Sequence, residues 1–175
     1  MFKYYIVEDL ITLEVSEYLH DKQRILRHKM EDKYVDKIIN GIGLVVLIDD
    51  IVNTSRPKIL PNDACALFYV NLKLLVFSPE REESMIGTVS TSDSTGIGIT
   101  LDFFNDVKII PHFMPRDVVF DKESKAWYRD DLATKQYYKV NSKIEFSVID
   151  VTFNEMNDAS KDEQLPVMLV LGALK

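Results

Sequence analysis

His20, His28, His112, Cys65 and the adjacent carboxylates Asp49-Asp50 and Asp130-Asp131 are the side chains in this sequence with the types to run chemistry. Three histidines and one cysteine give no spaced ligand set for zinc, which needs three or four nitrogen or sulfur donors brought together. His20 and His28 sit among charges and read as a solvated helix face. Neighbours on a strand point to opposite faces, so neither Asp pair can act as acid and base on one substrate. No Ser-centred nucleophile elbow is present, and no glycine-rich loop ends in the Lys-Ser/Thr that cradles a nucleotide. "NGIGL" and "TGIGI" hold Gly-x-Gly without a following helix, so they read as strand glycines. A hydrolase built on His112 would need a base-orienting partner in a pocket, and the sequence offers none. No catalytic residue, metal or cofactor is expected.

Recognition is the chemistry that remains, and it concentrates in "LDFFNDVKIIPHFMP" (101–115). Two aromatics precede an Asn-Asp turn, a short apolar run resumes at Lys108-Ile109-Ile110, and Pro111-His112 ends it. In "GIGITLDF" the residues Ile97, Ile99, Leu101 and Phe103 alternate onto one face. That phase predicts Phe103 inward and Phe104 outward or capping an end, with Asn105-Asp106 closing a hairpin.

The elements around this stretch follow from periodicity. Residues 2–15 predict a strand interrupted near Glu8. "SEYLHDKQRILRHKMEDKYVDK" predicts the only long helix, capped by Ser16, with Leu19, Leu26, Met30 and Tyr34 on one stripe. "KIINGIGLVVLIDDI" predicts a continuous strand covered on both faces, Gly41 and Gly43 marking a bulge or a close backbone approach. In "ACALFYVNLKLLVF", Phe68, Val70, Leu72, Leu74 and Val76 share one face of a strand longer than the usual 3–10 residues. A domain boundary is expected at "SPEREES". Beyond it come five short strands: Ser84–Thr91, Gly96–Phe103, Val107–Ile110, either Ala126–Arg129 or Lys143–Phe153, and Pro166–Leu174. The phase slip in Lys143–Phe153 predicts a bulge near Val148, a device small barrels use to bend. "NEMNDASKDEQ" reads as a polar loop. Five strands in roughly 90 residues are the size of an OB-fold barrel.

Composition narrows the function. The net charge is −7 over 175 residues, with 10 basic and 12 acidic groups in residues 1–80 and 11 and 16 in residues 81–175. A chain-wide electrostatic grip on phosphates is therefore not expected. One cysteine allows no internal disulfide, and the apolar runs fall short of the roughly 20 residues a membrane span needs. Glu8-Asp9 interrupts what would be the core of a signal peptide. A soluble, intracellular protein with no membrane association is expected.

Four motifs, in order, carry a family resemblance: "NGIGLVVLIDDI" (40–51), "LLVFSPEREESMIGTV" (74–89), "STGIGITLDFFNDVKIIP" (94–111) and "FDKESKAWYRD" (120–130). In this order, over nearly the whole chain, the sequence resembles the larger stalk subunit of multisubunit RNA polymerases, most closely the RNA polymerase III member. The double Phe before Asn-Asp and Trp127 with its aromatic and acidic neighbours favour that member over its polymerase II and archaeal relatives. The resemblance implies an α+β N-terminal truncated RNP-like domain over 1–80, docking on the polymerase, followed by an all-β OB-fold barrel over 81–175. It implies a non-catalytic, nuclear subunit that heterodimerises with the smaller polymerase III stalk subunit, sits on the polymerase core and supports initiation, with contact to nascent RNA.

Two positions depart from the family pattern. The tip loop, Gly-rich in the family, here reads Leu60-Pro61-Asn62-Asp63-Ala64. The second barrel strand, which carries stacking aromatics in related barrels, here has Thr95 and Gly98, and such stacking contributes roughly 1–3 kcal/mol per base. His112 falls where such barrels keep a nucleic-acid-facing histidine. The nucleic-acid-binding candidates are therefore Phe104, Lys108, His112, Tyr128, Arg129 and Lys143. A free-standing OB-fold protein that binds single-stranded RNA is the alternative, and it predicts steeply salt-dependent affinity for the chain alone.

Overall fold

The computed structural model describes residues 1–18, 21–59, 65–131, 134–154 and 166–175. The chain divides into two units, Met1–Ser78 and Pro79–Lys175. The first runs β1 (Phe2–Glu14), α1 (Val15–Tyr18), α2 (Lys22–Tyr34), β2 (Ile38–Ile39), β3 (Gly43–Thr54), β4 (Lys58–Ile59) and β5 (Cys65–Phe77). Its sheet is ordered β1-β5-β3-β2, with β4 also pairing β5. The alternation that predicts β5 sends Phe68, Val70, Leu72, Leu74 and Val76 into the core, all fully buried. Leu26 and Met30 of α2 pack on that face, each contributing roughly 1.5–3 kcal/mol at most.

Polar contacts fix the helix on the sheet. The Arg27 guanidinium donates to the Ile48 carbonyl at 2.9 Å. The Tyr34 hydroxyl and the Lys33 ammonium donate to the Asp9 carboxylate at 2.7 and 2.6 Å. Burial pushes Asp9 up, but these hydrogen bonds and the Leu10 N–H outweigh it and hold the carboxyl below its ordinary value.

Three local expectations are corrected. β1 is not broken at Glu8, because every residue from Phe2 to Glu14 pairs one-for-one with β5. The cap of α2 is Asp21, whose extended backbone lets its carboxylate accept from the Arg24 N–H, while Ser16 lies inside α1. Leu19 and the tip-loop residues 60–64 lie outside the described residues. The strand expected through 37–51 is instead a hairpin of β2 and β3, turned at Asn40–Ile42 where Gly41 has φ +75°. Gly43 meets the expected close approach: at φ +141°, a Cβ there would overlap the Phe77 carbonyl oxygen.

The second unit runs β6 (Ser84–Asp93), β7 (Gly96–Thr100), β8 (Val107–Ile109), a 3-10 turn (Pro111–Phe113), β9 (Val118–Asp121), β10 (Ala126–Asp131), β11 (Thr134–Tyr138), β12 (Lys143–Phe153) and β13 (Met168–Leu174). Five of these strands close a barrel in the order β12-β13-β8-β7-β6. Closure comes through the parallel pair of β13 with β8, Val170 opposite Val107. Val89, Ile97, Ile99, Ile109, Phe146 and Val170 fill the interior. Of the two expected fourth strands, Lys143–Phe153 belongs to the barrel, and Ala126–Arg129 lies in a separate sheet ordered β11-β10-β9. The β12–β13 register shifts between Val148 and Asp150, the bulge that the phase slip marks. The polar loop lies outside the described residues beyond Asn154. Among the described residues no helix is long and apolar enough to cross a membrane.

Candidate nucleic-acid interface

The double Phe is oriented opposite to the expectation: Phe104 is buried and Phe103 is 46% exposed. The reason is backbone. β7 ends at Thr100, and Asp102 takes φ +68°, the left-handed region. The chain then folds on itself, the Leu101 N–H donating to the Phe104 carbonyl and the Phe103 N–H to that of Leu101, each at 2.9 Å. Strand alternation stops at Thr100, so Phe104 turns into the core and has no face for a nucleic acid. Asn105-Asp106 is likewise not a two-residue hairpin turn. Asn105 accepts from the Thr100 hydroxyl at 2.5 Å, and the Asp106 carbonyl accepts from Val170, joining the loop to β13.

Lys108 extends from β8 opposite Gly98 and donates to the Thr95 hydroxyl at 3.1 Å. The same Thr95 donates its N–H and hydroxyl to Asp93; these bonds, with Lys108 nearby, hold the Asp93 carboxyl below its ordinary value. Gly98 leaves no room for the absent aromatic, because a Cβ there would collide with the Thr91 hydroxyl. The barrel wall here is a closed polar cluster. His112 is exposed on the 3-10 turn, edge-on to Phe113 with ring centres 5.3 Å apart. Lys143 is exposed at the start of β12, opposite Thr88, beside a shallow depression of about 110 Å³ that Thr88, Thr100 and Asp102 also line.

Tyr128 and Arg129 are neighbours on β10 and therefore face opposite ways. Arg129 is committed to structure, pairing with Asp117 at 3.1 Å and donating to the Lys175 carbonyl at 2.8 Å. On its side of the sheet Trp127 is buried against Phe120, and its indole N–H donates to the Asp93 carbonyl at 2.6 Å, tying the small sheet to β6. Tyr128 faces outward and pairs with Tyr137 of β11, ring centres 5.3 Å apart. The six candidates thus do not form one surface. Lys108 and Lys143 lie on the barrel, His112 on a turn, Tyr128 on the added sheet, and Phe104 and Arg129 serve packing and ion pairing.

Lys135, Tyr137 and Lys139 are the residues that sequence reasoning missed. A faint signal is present in "TKQYYK", where Lys135 and Tyr137 share one face of β11 and Lys139 follows just past its end. Among the described residues no group of three or more His, Cys, Asp or Glu is placed to hold a metal ion.

With both units described, the chain can be compared with known proteins. Residues 83–167, covering most of the second unit, match the family model described as RNA polymerase III subunit Rpc25. Residues 8–64, covering most of the first, match the SHS2 domain found in the N terminus of Rpb7p, Rpc25p and MJ0397. Both units are thus similar to models named for the larger stalk subunits of RNA polymerases.

Individual proteins are similar along most of the chain. DNA-directed RNA polymerase III subunit RPC8 of Saccharomyces cerevisiae is 26% identical over 160 residues, 90% of this chain and 76% of that protein. The Dictyostelium discoideum subunit rpc8 is 26% identical over 154 residues, 88% of this chain; the matched part is 61% of that protein's length. DNA-directed RNA polymerase II subunit RPB7 of Saccharomyces cerevisiae is 29% identical over 125 residues, 69% of this chain and 72% of that protein. These similarities agree with the resemblance carried by the four motifs, and the first unit is similar to the SHS2 domain of such subunits.

Proposed function

We propose that this chain is a non-catalytic stalk subunit of a nuclear RNA polymerase III, working by position. Its first unit holds a smaller stalk subunit and docks on the polymerase core, and its OB-fold barrel stands near the transcript. The relatives named as polymerase III subunits support the choice of polymerase.

The observation that carries the heterodimer is the face of the first unit's sheet that lies opposite α2 and exposes apolar side chains among the described residues. Along β1, the positions Tyr5, Val7, Ile11 and Leu13 pack on the core beneath α2. The alternate positions Phe2, Tyr4, Ile6 and Leu10 face away and are exposed, Ile6 at 69% and Tyr4 at 58%. In register beside them stand Tyr69 opposite Leu10, and Leu75 opposite Tyr4 with exposed Leu47 beyond it. Glu8 lies between Ile6 and Leu10, with Lys73 opposite Ile6 and Asn71 opposite Glu8; exposed apolar side chains set among such polar ones support an interaction site. A subunit held through such a face needs no broad positive charge, in keeping with the net charge of −7. Once docked, weak transcript contacts are strengthened by effective concentration.

Co-expression with the smaller stalk subunit of the same organism tests the reading. The two chains should co-purify and appear in polymerase III preparations, and Ile6→Asp with Leu10→Asp should abolish the pairing while leaving the fold intact by circular dichroism. Absence of co-purification by the unaltered chains, or pairing untouched by the double variant, would refute it.

A further inference from the structure

We propose that the outer face of the β9–β11 sheet, where Tyr128 and Tyr137 stand between Lys135 and Lys139, is a docking platform for single-stranded RNA. The proposal rests on the reading that this subunit meets the transcript, and it moves the contact from the barrel wall to the added sheet.

The inward side of that sheet is already occupied by Trp127 and Tyr138, both buried. On the outward side the two tyrosines are direct cross-strand partners with rings tilted by 39°. The Lys135 ammonium lies 4.7 Å from the centre of the Tyr128 ring, and that of Lys139 lies 5.5 Å from the centre of the Tyr137 ring. A cation resting on a ring marks an electron-rich face, and both tyrosines are half-buried, each with its outward ring face under a lysine. A base has a flat π-face that can take the same place, and stacking of this sort tolerates any sequence. The displaced ammonium groups, on flexible four-carbon stems, then reach the phosphates on either side.

Charge alone does not supply the grip. Asp130 stands in register with Lys135, and Asp121, which accepts from the Ser124 hydroxyl at 2.7 Å and the Glu123 N–H at 3.0 Å, lies beside Tyr137. The face is therefore close to electrically balanced. The two aspartates repel an acidic peptide and an RNA backbone alike, but the peptide brings no base to stack on the rings. A base-bearing strand gains most of its affinity from the rings, which is why RNA is the occupant that fits. The barrel wall offers less, since its Lys108 is bonded to Thr95 and Gly98 excludes a stacking side chain.

Fluorescence anisotropy of a labelled oligouridine against the full chain tests this. The affinity should fall with salt along a shallow slope of about −1.4 for two phosphate contacts. Tyr128→Ala and Tyr137→Ala should each weaken binding by about 5- to 100-fold, whereas Tyr128→Phe and Tyr137→Phe keep the stacking plate and should leave it unchanged. Emission of Trp127, the chain's one tryptophan, reports whether the sheet stays folded in each variant. Should an alanine variant lose that emission, Lys135→Glu with Lys139→Glu replaces it and should weaken binding at least tenfold at low salt. Binding that survives these changes but falls in Lys108→Ala overturns the platform and leaves transcript contact by the barrel standing. No RNA binding by the unaltered chain overturns both. Tyrosine-dependent binding of polyglutamate in place of RNA overturns the choice of ligand and with it the proposal.

Discussion

Gly43→Ala and Gly41→Ala make the same chemical change two residues apart and should have very different costs. Gly41 has φ +75° with nothing near the position a Cβ would take, so alanine there bears only the left-handed penalty of about 1–2 kcal/mol. Gly43 has φ +141°, a region closed to side chains, at a cost of about 1–3 kcal/mol. Its Cβ would also overlap the Phe77 carbonyl oxygen and stand 3.1 Å from the Val76 side chain. Relief requires β3 to leave β5 at its first rungs, Leu44 opposite Phe77 and Val45 opposite Val76. Loss of one or two ladder hydrogen bonds adds about 1–2 kcal/mol, for a total of about 2–5 kcal/mol against about 5–15 kcal/mol for a whole domain. In a unit of this size each kcal/mol moves the midpoint by roughly 4–8 °C. Gly41→Ala should therefore lower Tm by about 5–15 °C, and Gly43→Ala by more, about 10–40 °C, at the upper end leaving the first unit unfolded at ambient temperature. Thermal circular dichroism reads the loss of the first sheet, and Trp127 emission follows the second unit separately. Equal melting of the two variants would show that the close approach of β3 to Phe77 carries no energy, and the reasoning would fail.

Phe104→Ala should cost roughly 3–5 kcal/mol in urea unfolding, and Phe103→Ala, at 46% exposure, less than half as much; the reverse order would restore the outward Phe104. Trp127→Phe keeps one aromatic ring but removes the pyrrole ring and its N–H, leaving a void and the Asp93 carbonyl without that donor, so it should cost at least about 1–3 kcal/mol by circular dichroism, and a neutral result would remove that tie between the small sheet and β6. Burial, and then the hydrogen bond to Asp9, push the Tyr34 hydroxyl up to about 12. Its folded value is raised above the ordinary 10, so the stabilisation is whole below pH 10 and is lost as pH climbs from about 10 to about 12. A rise from 10 to about 12 would nominally be worth about 2.7 kcal/mol, and solvent screening of this half-exposed group reduces that to roughly 1 kcal/mol. The difference in unfolding free energy between the parent and Tyr34→Phe should shrink over that pH range, and a flat difference would refute it.

How far the sequence spoke for itself varies along the chain. β5 is legible because one face is buried throughout, and period two then repeats without a break from Phe68 to Val76. The bulge in β12 is legible for the same reason, since a slip of phase in Ile144–Phe153 must appear as a slip of register. Phe103 and Phe104 were not legible. Hydrophobic alternation assumes extended backbone, and the left-handed Asp102 ends that assumption two residues beyond β7 without changing the apolar pattern. The break between α1 and α2 was hidden similarly, because Ser16 and Asp21 are both competent caps and only backbone geometry distinguishes them. Of the outward aromatic face, Tyr128 was visible through its aromatic and acidic neighbours. Tyr137 was not, because a five-residue strand is too short for its period to stand out.

The β9–β11 sheet enters the chain between β8 and β12, which are not neighbours in the barrel; β13 separates them. None of the hydrogen bonds that seal the ring passes through this detour. Relatives could therefore lengthen, shorten or redecorate it with little disturbance to the ring, provided its tie through Trp127 is kept or replaced. Specialisation among stalk subunits should gather in that excursion, while the five staves stay alike.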